Sequence, residues 1–265
     1  MLRLTVIALL LSWIAYVRTD GFAPWVVEGP LHPTQESIPP EVHSILSHPF
    51  EYLAKGRQCF VFVSQDGKYV LKFFNQRYLR LPWYAWLKGP QEQSKRERRR
   101  AFYESSYEIA HRLFGEEIVM LHMGHTDALP HVCLRNRAKG SFTLDLNRIP
   151  FVLQRKGEPF YEGLQAAFQQ KGMEGLYREI DAFVEQIANR IAHHIADADV
   201  DVEKNWGYVD GHLFHLDPGR LYVDDQLAHL EGQQKEWVKA THRLHKWLSH
   251  HYPDAAEYLS RAINF

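Results

Sequence analysis

Leu176, Ile180, Phe183, Ile187, Ile191 and Ile195 recur every three or four residues through GLYREIDAFVEQIANRIAHHIAD (175–197). That period puts all six on one face of an α-helix, and so apolar a face has to be buried against other elements. The stretch predicts a long helix in a mostly helical second half, ending at Asp197. Directly after it comes NWGYVDGHLFHLDPGR (205–220), a strand–turn–strand pattern in which Asp210-Gly211 supplies the hairpin turn. Two more helices are expected near 226–250 and 253–263.

The first half reads differently. FEYLAKGRQCFVFVSQDGKYVLKFF (50–74) carries strand-like runs around Gln65-Asp66-Gly67, a good hairpin signal. Residues 91–114 form a helical pattern with Phe102, Ile109, Leu113 and Phe114 as its apolar stripe. The basic run Lys95 to Arg100 reads as a solvated face of that helix, with phosphate or acidic-lipid contact as the alternative. Strands are expected at 117–126, 130–136 and 149–156, with Gly140 in a turn between the last two and a connector near 151–160. Upstream, residues 19–40 hold five prolines and no apolar periodicity, which reads as an extended linker, and Pro40 then opens a short helix over 41–48. The class is therefore α+β, with a small β-rich half carrying one main helix and a mostly helical second half.

With 265 residues the chain can form one large domain or two lobes. A net charge of −1 argues against a nucleic-acid partner, and Cys59 and Cys133 alone make neither a disulfide framework nor a cysteine zinc site. Between Arg3 and Arg18 lies the apolar run LTVIALLLSWIAYV (4–17), whose 14 residues suit the h-region of a signal peptide. With no clear cleavage site after it, a signal anchor is the other reading. Both lead to the expectation of a secreted or membrane-anchored protein, with membrane association through residues 4–17. The plain alternative is a buried N-terminal helix.

Several short motifs stand in order along this framework. Leu53-Ala54-Lys55-Gly56-Arg57-Gln58-Cys59-Phe60-Val61 spans a turn with one glycine. In Val70-Leu71-Lys72-Phe73-Phe74, Lys72 is the one charge within an apolar strand; alone, it would read as a lysine pointing to solvent. Glu97, Glu104 and Glu108 lie on the following helix, behind an insertion at 79–90 that carries Trp83, Tyr84 and Trp86. Then come Phe151-Val152-Leu153-Gln154 and, after the long helix, Asp199, Asp201, Asn205 and Asp217-Pro218-Gly219.

This order resembles the protein-kinase-like superfamily, in an atypical form with a reduced C-lobe. The resemblance implies a two-lobed fold divided as 1–18 signal peptide or anchor, 19–49 linker and short helix, 50–156 N-lobe and 157–265 reduced helical C-lobe. It implies a glycine loop at Gly56 over the phosphates, Lys72 gripping them, Glu104 orienting Lys72 (with Glu97 and Glu108 as competitors), and Gln154 at the adenine hinge. Asn205 and Asp217, twelve residues apart, would hold Mg²⁺ together. The usual position of the catalytic aspartate falls on Val200; Asp199 is one residue early and Asp201 one late, with Asp199 the first choice of base. Only Gly56 stands where the family has three glycines, with Ala54 and Cys59 at the other positions, and 46 residues follow Gly219. The implied activity is ATP- and Mg²⁺-dependent phosphotransfer to a hydroxyl of a protein or small molecule. The alternative is an inactive pseudokinase serving as a membrane-tethered scaffold.

Two other metal chemistries fit less well. Asp197, Asp199 and Asp201 alternate as in a calcium loop, but the glycine and glutamate that such a loop needs are Val202 and Tyr208. The pairs His193/His194 and His212/His215 match no zinc-enzyme spacing, although in a strand His215 and Asp217 would share a face.

Overall fold

A computed structural model describes residues 2–33, 37–79, 90–113 and 117–263. The chain divides into two units, Met1–Arg100 with Ile118–Lys156, and Ala101–Glu117 with Gly157–Phe265. In the first unit, helices α1 (Leu2–Arg18), α2 (Pro24–Val27) and α3 (Pro40–Leu46) precede strands β1 (Phe50–Lys55), β2 (Cys59–Ser64) and β3 (Tyr69–Phe74). The short α4 (Gln76–Leu79) and the long α5 (Pro90–Leu113) follow, then β4 (Met120–His122), β5 (His131–Arg135), β6 (Ser141–Asp145) and β7 (Phe151–Arg155).

These strands make one mixed sheet in the order β4-β7-β3-β2-β1-β5-β6, antiparallel except where β5 runs parallel to β1. The β2–β3 hairpin follows from its turn chemistry. Gly67 takes a φ of 75°, and the Asp66 carboxylate accepts from the Ser64 hydroxyl at 2.6 Å and the Lys68 amide at 3.1 Å. Phe60, Phe62, Phe73 and Phe151 alternate onto one face and are buried there. Phe22 meets Phe60 and Phe62 edge-on, with ring centres 5.4 and 4.9 Å apart.

Several expectations for this half need correction. Residues 19–40 are not a plain linker: Phe22, Val26 and Val27 are buried in the core of the sheet, because Pro24 opens α2 and turns those side chains inward. Gly140 closes the turn after β5 as expected, but it leads into β6 (Ser141–Asp145), a strand not expected from the sequence. The strand expected over 149–156 is β7, bonded on both sides to β3 and β4, so the connector expected near 151–160 begins only after Arg155. Phe114 and the aromatic insertion Trp83, Tyr84 and Trp86 lie outside the described residues.

The N-terminal anchor is also overturned. No described helix is long and apolar enough to cross a membrane. Helix α1 has 17 residues, about 26 Å at 1.5 Å each, against about 30 Å of hydrocarbon. The expected membrane anchoring through residues 4–17 is therefore not sustained. Nor is α1 a buried helix, since Val6, Leu9, Leu11 and Trp13 are more than half exposed.

The second unit takes the end of α5 and adds β8 (Glu158–Pro159), α6 (Phe160–Ala192), β9 (Ile195–Asp197), α7 (Val202–Asn205), β10 (Trp206–Val209), β11 (His212–His215), β12 (Leu221–Val223), α8 (Leu230–His251) and α9 (Pro253–Ala262). Leu176, Ile180, Phe183, Ile187 and Ile191 are buried along α6, which packs against α8 and α9 around Trp237, Leu244, Leu248 and Leu259. The helix starts fifteen residues before the predicted Gly175 and breaks its backbone once, at Gly172 with a φ of 61°. It stops at Ala192, so Ile195 and Asp197 are not its last turn; they form β9, which pairs antiparallel with β12. Asp210 and Gly211, with φ of 49° and 80°, make the two-residue turn of the β10–β11 hairpin.

Candidate functional site

The second unit gathers four elements around the segment from Asp197 to Asp217. Strand β9 ends at Asp197, α7 ends at Asn205, the β10–β11 hairpin returns the chain, and Asp217 follows. The Asn205 carbonyl accepts two amides at once, from Leu216 at 2.7 Å and Asp217 at 3.3 Å. The two residues expected to share a cation are thus tied through the backbone. The Asn205 side-chain amide donates to the Asp199 carbonyl at 2.5 Å, which leaves its oxygen as the side chain's acceptor. Asp217 is exposed; the Tyr107 hydroxyl donates to its Oδ1 at 3.4 Å, and Tyr107 itself is fully buried on α5. The turn that follows is closed by the Leu221 amide on the Pro218 carbonyl, at 3.1 Å, so Asp217 stands just ahead of it.

The two candidate bases separate clearly. Asp199 is half exposed, with its amide held by Asp197 Oδ1 at 2.8 Å and Arg220 Nε 3.9 Å from its carboxylate. Asp201 is engaged: its Oδ2 meets Arg243 at 2.9 Å and Lys204 at 3.2 Å. Burial pushes the Asp201 carboxyl up, but Lys204 and Arg243 outweigh this and hold it below its ordinary value. The two ion pairs occupy the Asp201 carboxylate.

Beneath the loop lies a buried polar cluster that the sequence did not reveal. Asp197 Oδ2 sits 3.2 Å from His215 Nε2, and both residues are almost fully enclosed. Arg190 of α6 and Glu236 of α8 pair at 2.7 Å, and the same Glu236 oxygen accepts from the Asp197 amide at 3.0 Å. His215 also packs edge-on to Trp206, with ring centres 4.7 Å apart. The expected shared face of His215 and Asp217 is not found, because β11 ends at His215, which is buried, while Asp217 is exposed. Among the described residues no group of three His, Cys, Asp or Glu side chains could hold a metal ion.

Burial raises the Asp197 carboxyl, but His215, Arg190 and the Asp199 amide outweigh it, so its value falls below the ordinary 3.8. A carboxylate depressed by folding adds stability that is present above its unfolded value and lost as the pH falls through its folded value. Asp197→Asn should therefore melt well below the wild type at pH 7. The gap should narrow as the pH drops beneath about 4. Melting curves across that range check this, and a gap independent of pH would contradict it.

In the first unit, Gly56 forms the β1–β2 turn and donates its amide to the Cys59 carbonyl at 2.9 Å. A Cβ there would meet nothing closer than 3.8 Å, so packing does not demand the glycine. Lys72 lies mid-sheet, opposite Val61 and Val152, and is 7% exposed, which removes the reading of a solvent-pointing lysine. Gln154 is buried on β7, one residue beyond Leu153, where the β4 ladder ends. Glu104 is half-buried and belongs to the second unit, while Glu97 and Glu108 are exposed.

No protein-family model matches the chain, and no curated protein matches it.

Proposed function

We propose that the chain is an atypical phosphotransferase with protein-kinase-like, two-lobed organisation, moving the terminal phosphoryl group of ATP to a hydroxyl on a protein or small molecule. The first unit would act as the nucleotide lobe and the second as the lobe of the metal ligands and the base. The observation that carries this reading is the double amide tie to the Asn205 carbonyl, which fixes Asn205 and the exposed Asp217 in one register beside the half-exposed Asp199. An amide oxygen and a carboxylate suit Mg²⁺, which takes few protein ligands and completes its shell from phosphate and water. When bound, the ion would neutralise charge on the phosphates. Asp199 would accept or orient the proton of the acceptor hydroxyl. The α7 turn, in which Lys204 and Asn205 both donate to the Asp201 carbonyl, would take up the extra residue between Asp199 and Asn205. Lys72 on the third strand would hold the phosphates, with the β7 backbone near Gln154 as the adenine contact.

A second reading, nucleotide binding without turnover in a scaffold, is favoured by the phosphate loop. Ala54 and Cys59 both lie within strands β1 and β2, which leaves Gly56 as the one glycine of the turn. Thermal-shift titration with ATP and Mg²⁺ tests both readings. The wild type should gain about 2.7 kcal/mol at a hundredfold excess over Kd, and Asp217→Ala should gain none. Because Asp217 is exposed, the variant should fold. An unresponsive wild type, or an equal response in Asp217→Ala, would overturn the proposal.

A further inference from the structure

Two neighbouring cavities open on the first unit, of about 600 and 470 Å³, and share Asp20, Lys55, Arg137 and Lys139 in their walls. Arg18 lines the larger and Arg135 the smaller, and the carboxylates present are Asp20 and Glu51. Five cations thus face two anions in a chain whose net charge is −1.

The arrangement is held in place by Asp20. The chain reverses there through left-handed backbone, with φ of 51° at Asp20 and 73° at Gly21. Its carboxylate accepts from the Tyr52 hydroxyl at 2.7 Å and from Arg137 Nη1 at 2.8 and 2.9 Å, and its carbonyl accepts Lys55 Nζ at 2.7 Å. One residue therefore fixes two cations from different parts of the sheet. Lys55 is further held over the rings of Tyr16 and Phe60, 5.6 Å from each centroid. Arg137 uses Nη1 alone on Asp20, and a guanidinium carries five N–H donors in all. Lys139 comes from the tight β5–β6 turn with a φ of 64°, and its ammonium is 3.5 Å from Glu51 with most of its surface exposed. The fixed Lys55 and Arg137 suit a charged ligand better than mobile surface cations do.

We propose that these cavities bind a small anion carrying two or more phosphate groups, gripped by Arg18, Arg137 and Lys139 around the frame built by Asp20 and Lys55. The volumes are those of a small-molecule site, and guanidinium and ammonium donors set around one space match a compact polyphosphate. None of Arg18, Arg137 and Lys139 belongs to the set assigned to nucleotide and Mg²⁺ above, so the two proposals fail separately.

Isothermal titration of the full chain with inorganic tripolyphosphate, at low salt and without Mg²⁺, tests this. The wild type should bind, and Arg18→Gln with Lys139→Gln should weaken binding by at least about tenfold. Both residues are exposed, and the bonds of the Asp20 frame are made with Tyr52, Lys55 and Arg137, so the double variant keeps the frame. Asp217→Ala should bind as the wild type does, and raising the salt should weaken all binding. No binding by the wild type, an undiminished double variant, or loss in Asp217→Ala would overturn the proposal. Equal affinity for a poly-glutamate peptide, with the same sensitivity to the double variant, would overturn the assignment to phosphate.

Discussion

Glu236→Ala should lower the melting temperature by roughly 6–20 °C, because losing one partner of a buried ion pair costs about 3–5 kcal/mol and 1 kcal/mol moves a chain of this size by about 2–4 °C. Arg190 is 1% exposed and Glu236 6%, so the substitution takes the paired carboxylate from a buried guanidinium, which keeps its bond to the Ile195 carbonyl at 3.0 Å. It also removes the acceptor of the Asp197 amide and the Lys239 ammonium, the latter at 2.9 Å. Two controls give the result its meaning. Glu231→Ala removes an exposed pair with Lys235 on the same helix and should leave the melting temperature unchanged. Arg190→Met combined with Glu236→Leu removes both charges and should recover much of the loss. About 1–3 kcal/mol should remain missing for the Asp197 amide. A Glu236→Ala protein melting within about 2 °C of the wild type would show that the pair carries no such weight.

Asp199→Asn should reduce ATP turnover by about 10²–10⁴, the range for a positioned general base, while the stabilisation by ATP and Mg²⁺ persists. Asp201→Asn should cost turnover far less, because the Asp201 carboxylate already faces Arg243 and Lys204. The comparison is made by steady-state kinetics on the wild type and both variants. Equal turnover in Asp199→Asn and the wild type would remove Asp199 from the mechanism. A wild type that binds nucleotide but does not turn it over selects the scaffold reading.

What could be read from the sequence was local. Asp66-Gly67 and Asp210-Gly211 announce their hairpins because Gly67, Asp210 and Gly211 take the left-handed backbone that such turns need and that these residue types favour locally. The buried face of α6 follows from its own spacing, but Ile195 misled, because it continues the four-residue step of the helix while lying on β9. Residues 22–27 were hidden among prolines although Phe22 and Val27 are core residues. The Asp197 cluster could not be found at all: Glu236 is 39 residues from Asp197 and 46 from Arg190. Likewise, nothing near Asp201 in the chain marks it as engaged by Arg243 on α8. Asn205 and Asp217 could be picked out by number, and their shared backbone tie needed the folded hairpin.

The allocation of α5 bears on inheritance. Residues 101–117 belong to the second unit although residues 118–156 of the first follow them. In that stretch the Ser106 hydroxyl donates to the Leu221 carbonyl at 2.7 Å, and Tyr107 reaches Asp217. A gene fragment beginning at codon 157 would therefore encode the second unit without these contacts, and a fragment ending at codon 100 would encode the first without strands β4 to β7. No single recombination breakpoint separates the two halves intact. A lineage that borrows the second unit whole must take residues 118–156 of the first with it, and one that borrows the first whole must take residues 101–117 of the second.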